Sequence, residues 1–481
     1  MDDRELAEEF RGLGHRLIDE LAEYLRTVGE RPVTPEVAPR AVEALFDEPV
    51  PVEESDGGAV LDELDAKLFP YATHTGSGGY LGLITPSPLP IGVLGDLVAS
   101  ALNQNLGVWS IGPAAVAMER RVVRWLCDLA GYGAAAGGNL TSGGMMANLV
   151  GLKLARDHAS GERAQHRGVA GRWAVYSSEE RHVSIDKAAD VVGLGRDAVR
   201  AIPTDDELRI DLAALEEAIA RDREAGVSPA CLVAMAGSTN TGAVDDLGAL
   251  AAIADREGIW LHADAAYGGG MLLSHRWPDL LAGLERADSI TIDPHKWFYA
   301  PLDAGAILVR DAGRLTRSFG LKPSYLSDDE LDDGDERYPF YVHGLEQSRR
   351  FRALKVWMSF RRYGTRRIGE WVDANVEQAL RLHERAEAHP RFVSAVRPPM
   401  SAVCLRWVPE RPLPREALSR LHREVQLRVE RGGELWIGTT QLKGRDWLRA
   451  CPVNFRTTTA HMDRLMEVLE REFQTVERDL G

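Results

Sequence analysis

The sequence predicts an α/β fold: a large domain built on a mainly parallel sheet, a small C-terminal α+β domain, and a helical segment ahead of both. Three observations predict it. From about 115 to 310, helix-period segments alternate with short runs such as RWAVYSS, CLVAMAG, IWLHADA, SITID and AGAILVRD. Those runs are apolar nearly throughout, as strands covered on both faces are. Periodicity is lost over 321–347. A long helical pattern then resumes, followed by the strand-like runs AVCLRWV, ELWIGTTQL and DWLRACPV and a closing helix from about 460.

Taken in order, residues 4–27 place Leu6, Phe10, Leu13, Leu17, Leu21 and Leu25 at helical spacing. A helix so far ahead of the first strand has little of its own chain to pack against, so it is expected to pack on another domain or another subunit. ESDGG at 54–58 breaks the chain, and VLDELDAKLFPYA resumes a short helical pattern. GSGGYLGLITPSPLP at 76–90 reads as an ordered loop, because apolar residues are interspersed among its Gly and Pro. AVAMERRVVRWLCDLAG, LAALEEAIARDREAG and LGALAAIADREG are the helices between strands. LKPSYLSDDELDDGDERYPFYVHGLEQ is a long acidic loop of the kind that serves as a lid or binding loop. The expected organisation is an N-terminal helical segment at 1–75, a large domain at 76–365 and a small domain at 366–481.

The bulk numbers exclude several classes. A chain of 481 residues exceeds one simple core. Its 57 basic and 73 acidic side chains give a net charge of −16, so its overall field attracts neither nucleic acid nor an anionic membrane. No apolar run reaches the length of a membrane span, and the N-terminus is too charged for a signal peptide. Cys127, Cys231, Cys404 and Cys451 lie far apart without a CxxC pair. No disulfide framework and no metal site is expected, and a cytoplasmic location fits. Nucleotide binding fails on motif: no GxGxxG follows a strand, and no GxxxxGK precedes Ser or Thr.

The chemistry is expected at the carboxyl ends of the strands, where open parallel sheets bind ligands. HADAAYGGG ends one strand with Asp264, and TIDPHKWF follows another with His295 and Lys296. GNLTSGGMMANL at 138–149 sets a Gly-containing turn between a strand and a helix, and the free N–H groups of such a turn suit a phosphate. Singly, each signal has a plain structural reading: a helix start, a strand-end cap, a surface amine. Together they are three fixed points around one small molecule. Pyridoxal 5'-phosphate asks for all three: a phosphate cup, a Lys for its aldehyde, and a carboxylate facing its pyridine nitrogen. A nearby cationic ring and partial burial both lower the Lys pKa, which frees the amine to attack.

These stretches resemble the group II pyridoxal-phosphate-dependent amino acid decarboxylases, among them the aromatic-L-amino-acid, glutamate and diaminobutyrate enzymes. HADAAYGGG and DPHKWF stand with 32 positions between acid and amine. The resemblance extends to GPAAVAMERRVVRWLCDLAGY, YSSEERHVSIDKAADVVG, GSTNTGAVDDL, SRRFRALKVW and LRACPVNFRTT. It implies the fold type I architecture, with a seven-stranded sheet. It implies Lys296 as the Schiff-base lysine, Asp264 at the pyridine nitrogen and His182 stacked on the ring. Gly143, Gly144 and Met145 would hold the phosphate through backbone N–H groups, with Ser142 and His295 adding side chains. Thr239 and Ala266 would line the cofactor. Tyr325, 29 positions after Lys296, matches the loop tyrosine that protonates Cα in the family. Relatives with Phe there tend to make aldehydes, so its hydroxyl favours amine formation.

His74, Tyr80 and Trp109 fall where relatives line the substrate side chain, and they favour an aromatic L-amino acid as the small-molecule substrate. Arg349 or Arg350 could hold a carboxylate, or form a structural ion pair. The family works as a homodimer with shared active sites, which agrees with the unsupported stripe at 4–27. The reaction implied is decarboxylation of an L-amino acid to amine and CO2. The alternatives on the same fold are an oxidative aldehyde synthase, an acidic or diamino acid decarboxylase, and a carbon–carbon lyase. A non-enzymatic scaffold is disfavoured by the joint presence of Lys296, Asp264, His182 and Tyr325.

Overall fold

The apolar runs become strands because a strand buried on both faces has no polar side to present. In the structure, a computed structural model that describes residues 2–321 and 338–480, seven of them form one sheet. They are β1 (Gly137–Thr141), β2 (Trp173–Ser178), β3 (Val199–Ile202), β4 (Ser228–Met235), β5 (Trp260–Ala265), β6 (Ser289–Ile292) and β7 (Gly305–Val309). The order is β1-β7-β6-β5-β4-β2-β3. β3, β2, β4, β5 and β6 run parallel. β7 is antiparallel to both β6 and β1, so β1 points the same way as the parallel five. Six carboxyl ends therefore share one edge of the sheet, and β7 starts from that edge.

Local chemistry places the connecting helices. Those at Leu212–Glu224 and Leu247–Glu257 start at Asp211 and Asp246, whose carboxylates accept from the N–H groups of Ala214 (3.0 Å) and Ala249 (2.9 Å). The second ends at Gly258, whose φ of +65° suits a residue without Cβ. The helix Gly144–Ala159 packs across β4, β5, β6 and β7. Its Gly151 permits that approach: a Cβ there would lie 2.4 Å from Cε1 of His262 on β5.

The chain divides into two compact units. Residues 84–380 and 396–403 form the unit that carries the seven-stranded sheet. Residues 1–83, 381–395 and 404–481 form the other. The three consecutive parts read from the sequence are thus grouped differently, and backbone pairing gives the reason. Trp436 N–H donates to Gly79 at 2.9 Å, Leu81 N–H to Trp436 at 2.8 Å, and Cys451 N–H to Leu81 at 2.6 Å. This terminal unit contains a second sheet of β8 (Phe392–Ser394), β9 (Val403–Trp407), β10 (Gly438–Leu442) and β11 (Arg445–Ala450), in the order β10-β11-β9-β8. Trp407 and Phe473 stack in its core with centroids 4.9 Å apart. The helix Asp3–Thr27 opens with a capping box formed by Asp2 and Glu5, yet buries none of its residues; Phe10 is 64% exposed. Among the described residues, no helix is long and apolar enough to cross a membrane.

One buried ion pair ties β1 to the sheet-bearing unit. Arg349 Nη2 lies 2.5 Å from Glu119 Oε1 and also donates to the Leu140 carbonyl at 3.0 Å. Glu119 Oε1 accepts from Leu140 N–H at 3.0 Å as well. Arg349 is therefore structural, while Arg350 pairs with Asp96 at the surface. Neutralising one partner of a buried pair leaves the other charge uncompensated. Glu119→Gln should cost about 3–5 kcal/mol, read as a lower denaturation midpoint with an unchanged slope. A midpoint equal to that of the unaltered protein would contradict this.

Candidate active site

Five of the six carboxyl ends on one sheet edge carry the residues singled out in the sequence. Ser142, Gly143, Gly144 and Met145 follow β1, His182 follows β2, and Thr239 follows β4. Asp264 is the last residue but one of β5 with Ala266 just beyond, and His295 and Lys296 follow β6, where Asp293 joins them. Sheet polarity alone thus brings to one edge residues spread over 155 positions of sequence.

The turn after β1 enters the helix Gly144–Ala159 with no side chain capping it. The N–H groups of a first helical turn have no partner within the helix and sit at its positive end. The start of β7 presses close here: a Cβ on Gly305 would lie 2.5 Å from Gly143 Cα. His295 borders the same turn, with Cε1 3.2 Å from where a Gly143 Cβ would stand. Its Nδ1 accepts from Ala304 N–H at 3.1 Å, so its proton sits on Nε2, which lies 3.7 Å from Asp293 Oδ2. Burial lowers the His295 pKa, and the Asp293 charge opposes that shift.

Asp264 is buried, and its hydrogen bonds come from neutral donors. Asn148 Nδ2 donates to Oδ2 at 2.8 Å and Ala266 N–H to Oδ1 at 3.1 Å. Lys296 Nζ lies 3.0 Å from Oδ2 of Asp293, whose Oδ1 is buried without a hydrogen-bond partner. His182 presents an exposed edge, while Ser184 holds its Nδ1 through a hydroxyl at 2.8 Å and an N–H at 3.2 Å. The protein around the ring still lowers its pKa, foremost by desolvation. The charges acting on it include Asp264, Lys296 and Asp293, which places all four groups in one neighbourhood. Thr239 sits half-buried four residues past Met235, the residue that pairs with Asp264 across β4 and β5.

The remaining expected residues lie on other segments of the chain. Trp109 is half-buried in a short turn, Trp109–Ile111. His74 and Tyr80 belong to the terminal unit. There His74 Nδ1 meets Tyr24 Oη at 3.2 Å, and Tyr80 stacks on Trp436 with centroids 5.2 Å apart. Tyr325 lies outside the described residues. Two site residues escaped the sequence reading, Asp293 and Asn148. Both stand inside quoted motifs, but a carboxylate beside a lysine and an Asn within a helix carry no signal until the strand ends are assembled.

This donor set fits pyridoxal 5'-phosphate. Free N–H groups at the helix start could hold the phosphate, and Lys296 could take the aldehyde. A buried carboxylate with only neutral hydrogen-bond donors stays an acceptor for a protonated ring nitrogen.

Comparison with known proteins agrees. The sequence profile of the pyridoxal-dependent decarboxylase conserved domain matches residues 39–408. The chain is 33% identical over 464 residues to an aromatic-L-amino-acid decarboxylase from Bacillus atrophaeus, covering 96% of this chain and 94% of that protein. A crystal structure of Oryza sativa TDC with PLP and tryptamine superposes with a TM-score of 0.92 at 30% identity, covering 98% and 99% of the two chains. The structure of Rhodiola rosea 4-hydroxyphenylacetaldehyde synthase gives 0.88 at 27% identity, with 99% of each chain covered. The chain belongs to the pyridoxal-dependent decarboxylase family and is a pyridoxal-phosphate-dependent carboxy-lyase of fold type I.

Proposed function

We propose that the protein removes the α-carboxylate of an aromatic L-amino acid, giving the corresponding amine and CO2. The observation that carries this is the convergence of Lys296, Asp264 and His182 with an uncapped helix start on one sheet edge. The aromatic preference is supported by relatives named for aromatic amino acids, including the Bacillus atrophaeus enzyme and rice tryptophan decarboxylase 1.

When bound, the cofactor supplies an electron sink for the electron pair left on Cα. The residues of this chain do the rest. The N–H groups from Gly143 to Met145, with Ser142 and His295, bind the phosphate. Asp264 keeps a proton on the facing pyridine nitrogen. His182 covers the ring face, while Thr239 and Ala266 border the ring. Lys296 would hold the aldehyde carbon through its amine, and Asp293, 3.0 Å from Nζ, would orient that amine. Tyr325 is assigned the return of a proton to Cα. His74, Tyr80 and Trp109 are assigned to the substrate side chain.

A second reading, oxidative conversion to an aldehyde, is favoured by relatives named phenylacetaldehyde synthase and 4-hydroxyphenylacetaldehyde synthase. The Tyr at 325 weighs toward the amine. A homodimer with shared sites is also proposed. It is supported by the helix Asp3–Thr27, which leaves Leu6, Phe10 and Ile18 exposed along one stripe.

Four measurements test these assignments. Lys296→Ala should abolish the visible absorbance of the lysine-bound cofactor and lower turnover by roughly three orders of magnitude; retained absorbance would remove the lysine from its role. A panel of L-amino acids assayed for CO2, amine and aldehyde should give amine from aromatic members. Tyr325→Phe should cut amine formation about a hundredfold and raise the aldehyde share; an unaltered product ratio ends that assignment. Sedimentation should give about twice the 52.9 kDa of one chain, and Phe10→Asp should shift the mass toward the monomer. A monomeric parent protein would contradict the shared-site arrangement.

A further inference from the structure

Behind Asp264 lies a chain of buried hydrogen bonds whose directions are fixed by chemistry. An indole N–H only donates, so Trp260 Nε1 donates to Ser289 Oγ at 2.9 Å. Ser289 keeps its own proton for His262 Nδ1 at 2.8 Å. Asn148 turns its amide nitrogen to the Asp264 carboxylate, so its Oδ1 faces His262 Nε2, and the proton of His262 sits on Nε2 and donates at 2.9 Å. Thr291 Oγ1 donates to the same oxygen at 2.7 Å. The amide nitrogen of Asn148 then has its two protons for Asp264 Oδ2 (2.8 Å) and Ser184 Oγ (2.8 Å). Ser184 passes its hydroxyl proton to His182 Nδ1 at 2.8 Å. Its backbone N–H donates to the same atom at 3.2 Å, which fixes Nδ1 as an acceptor. All four hydrogen-bond positions of the Asn148 side chain are used, and the opposite amide orientation would turn an oxygen onto the carboxylate.

We infer that Asn148 is a positioning residue: one amide sets the acid expected at the ring nitrogen and, through Ser184, the imidazole expected on the ring face. The inference rests on the cofactor reading of Asp264 and His182. Two further observations support it. Gly151, one turn along the same helix, leaves the space His262 occupies, since a Cβ there would stand 2.4 Å from the ring. His262 is fully buried, and burial pushes its pKa down to about 4 against the pull of Asp264, so it is neutral at neutral pH and keeps a single N–H for Asn148. Asn148 acts through its neighbours. It holds Asp264 directly and His182 through Ser184.

The test uses the cofactor-loaded full chain and two pairs of variants. Asn148→Leu removes the amide, and Leu152→Ala, a buried core change on the same helix, controls for lost stability. Asn148→Leu should raise the dissociation constant for pyridoxal 5'-phosphate about tenfold or more. It should also shift the pH midpoint of the bound cofactor's visible band and lower kcat with KM within about threefold. Leu152→Ala should lower the melting temperature and leave the dissociation constant and the band midpoint in place. If Asn148→Leu does not fold, His262→Gln, which keeps an N–H toward Asn148, is set against His262→Leu, which removes it. The Gln variant should keep the parent dissociation constant and the Leu variant should lose it. Equal constants in that pair, or a parent-like band in Asn148→Leu, would overturn the inference. A parent protein that takes up no pyridoxal 5'-phosphate would instead sink the cofactor reading beneath it.

Discussion

The constraint on which the rest depends is a carboxylate buried at the end of a central strand. Asp264 is 4% exposed, and among the described residues its side-chain hydrogen bonds come from an amide and a backbone N–H. Burying a charge without a countercharge is costly unless the group is well hydrogen-bonded. Neutral donors stabilise the ionised form without cancelling its field. Such a carboxylate is matched to a positive charge brought by something else, which under the proposed assignment is a protonated pyridine nitrogen.

The sheet supplies the geometry around it. β5 stands between β4 and β6 in register, with Met235 opposite Asp264 on one side and Thr291 on the other. Parallel neighbours put their following loops side by side, which is how Thr239, Asp264 and Lys296 come together without any contact encoded locally. The reversal of β7 then serves the far side. Its first residue, Gly305, has no side chain to push the β1 turn away, so the uncapped helix start stays close to the β6 loop that carries His295. Small residues at 151 and 305 set distances that larger ones would open by clashing with a ring or with backbone.

Much of this was legible in the sequence, for reasons that differ by residue. The strand–helix alternation over 115–310, the long N-terminal helix and the strand-end positions of Asp264 and Lys296 follow from period and from apolar runs. β3 was not read, because Val199–Ile202 is a four-residue edge strand with a charged Arg200 in its middle. β8 is three residues long and falls below any pattern. The grouping of residues 1–83 with the C-terminal segments rests on backbone pairing at Gly79, Leu81 and Trp436, which periodicity does not record. Asn148 was invisible for a related reason. In a helix it is merely an average residue, and its meaning comes from the two neighbouring strands that carry His262, Asp264 and Thr291.

Two acids on neighbouring strand ends are treated in opposite ways, and that difference bears on the chemistry. Asp264 has neutral partners and so keeps its field for a ligand. Asp293 is matched by Lys296 at 3.0 Å, with His295 farther off at 3.7 Å. It also lies against the helix start, where a Cβ on Gly144 would stand 2.8 Å from its Oδ2. Asp293 therefore faces the chain's own cation, whereas Asp264, one strand away and held by Asn148, faces neutral donors and is left open to a charge from outside the chain.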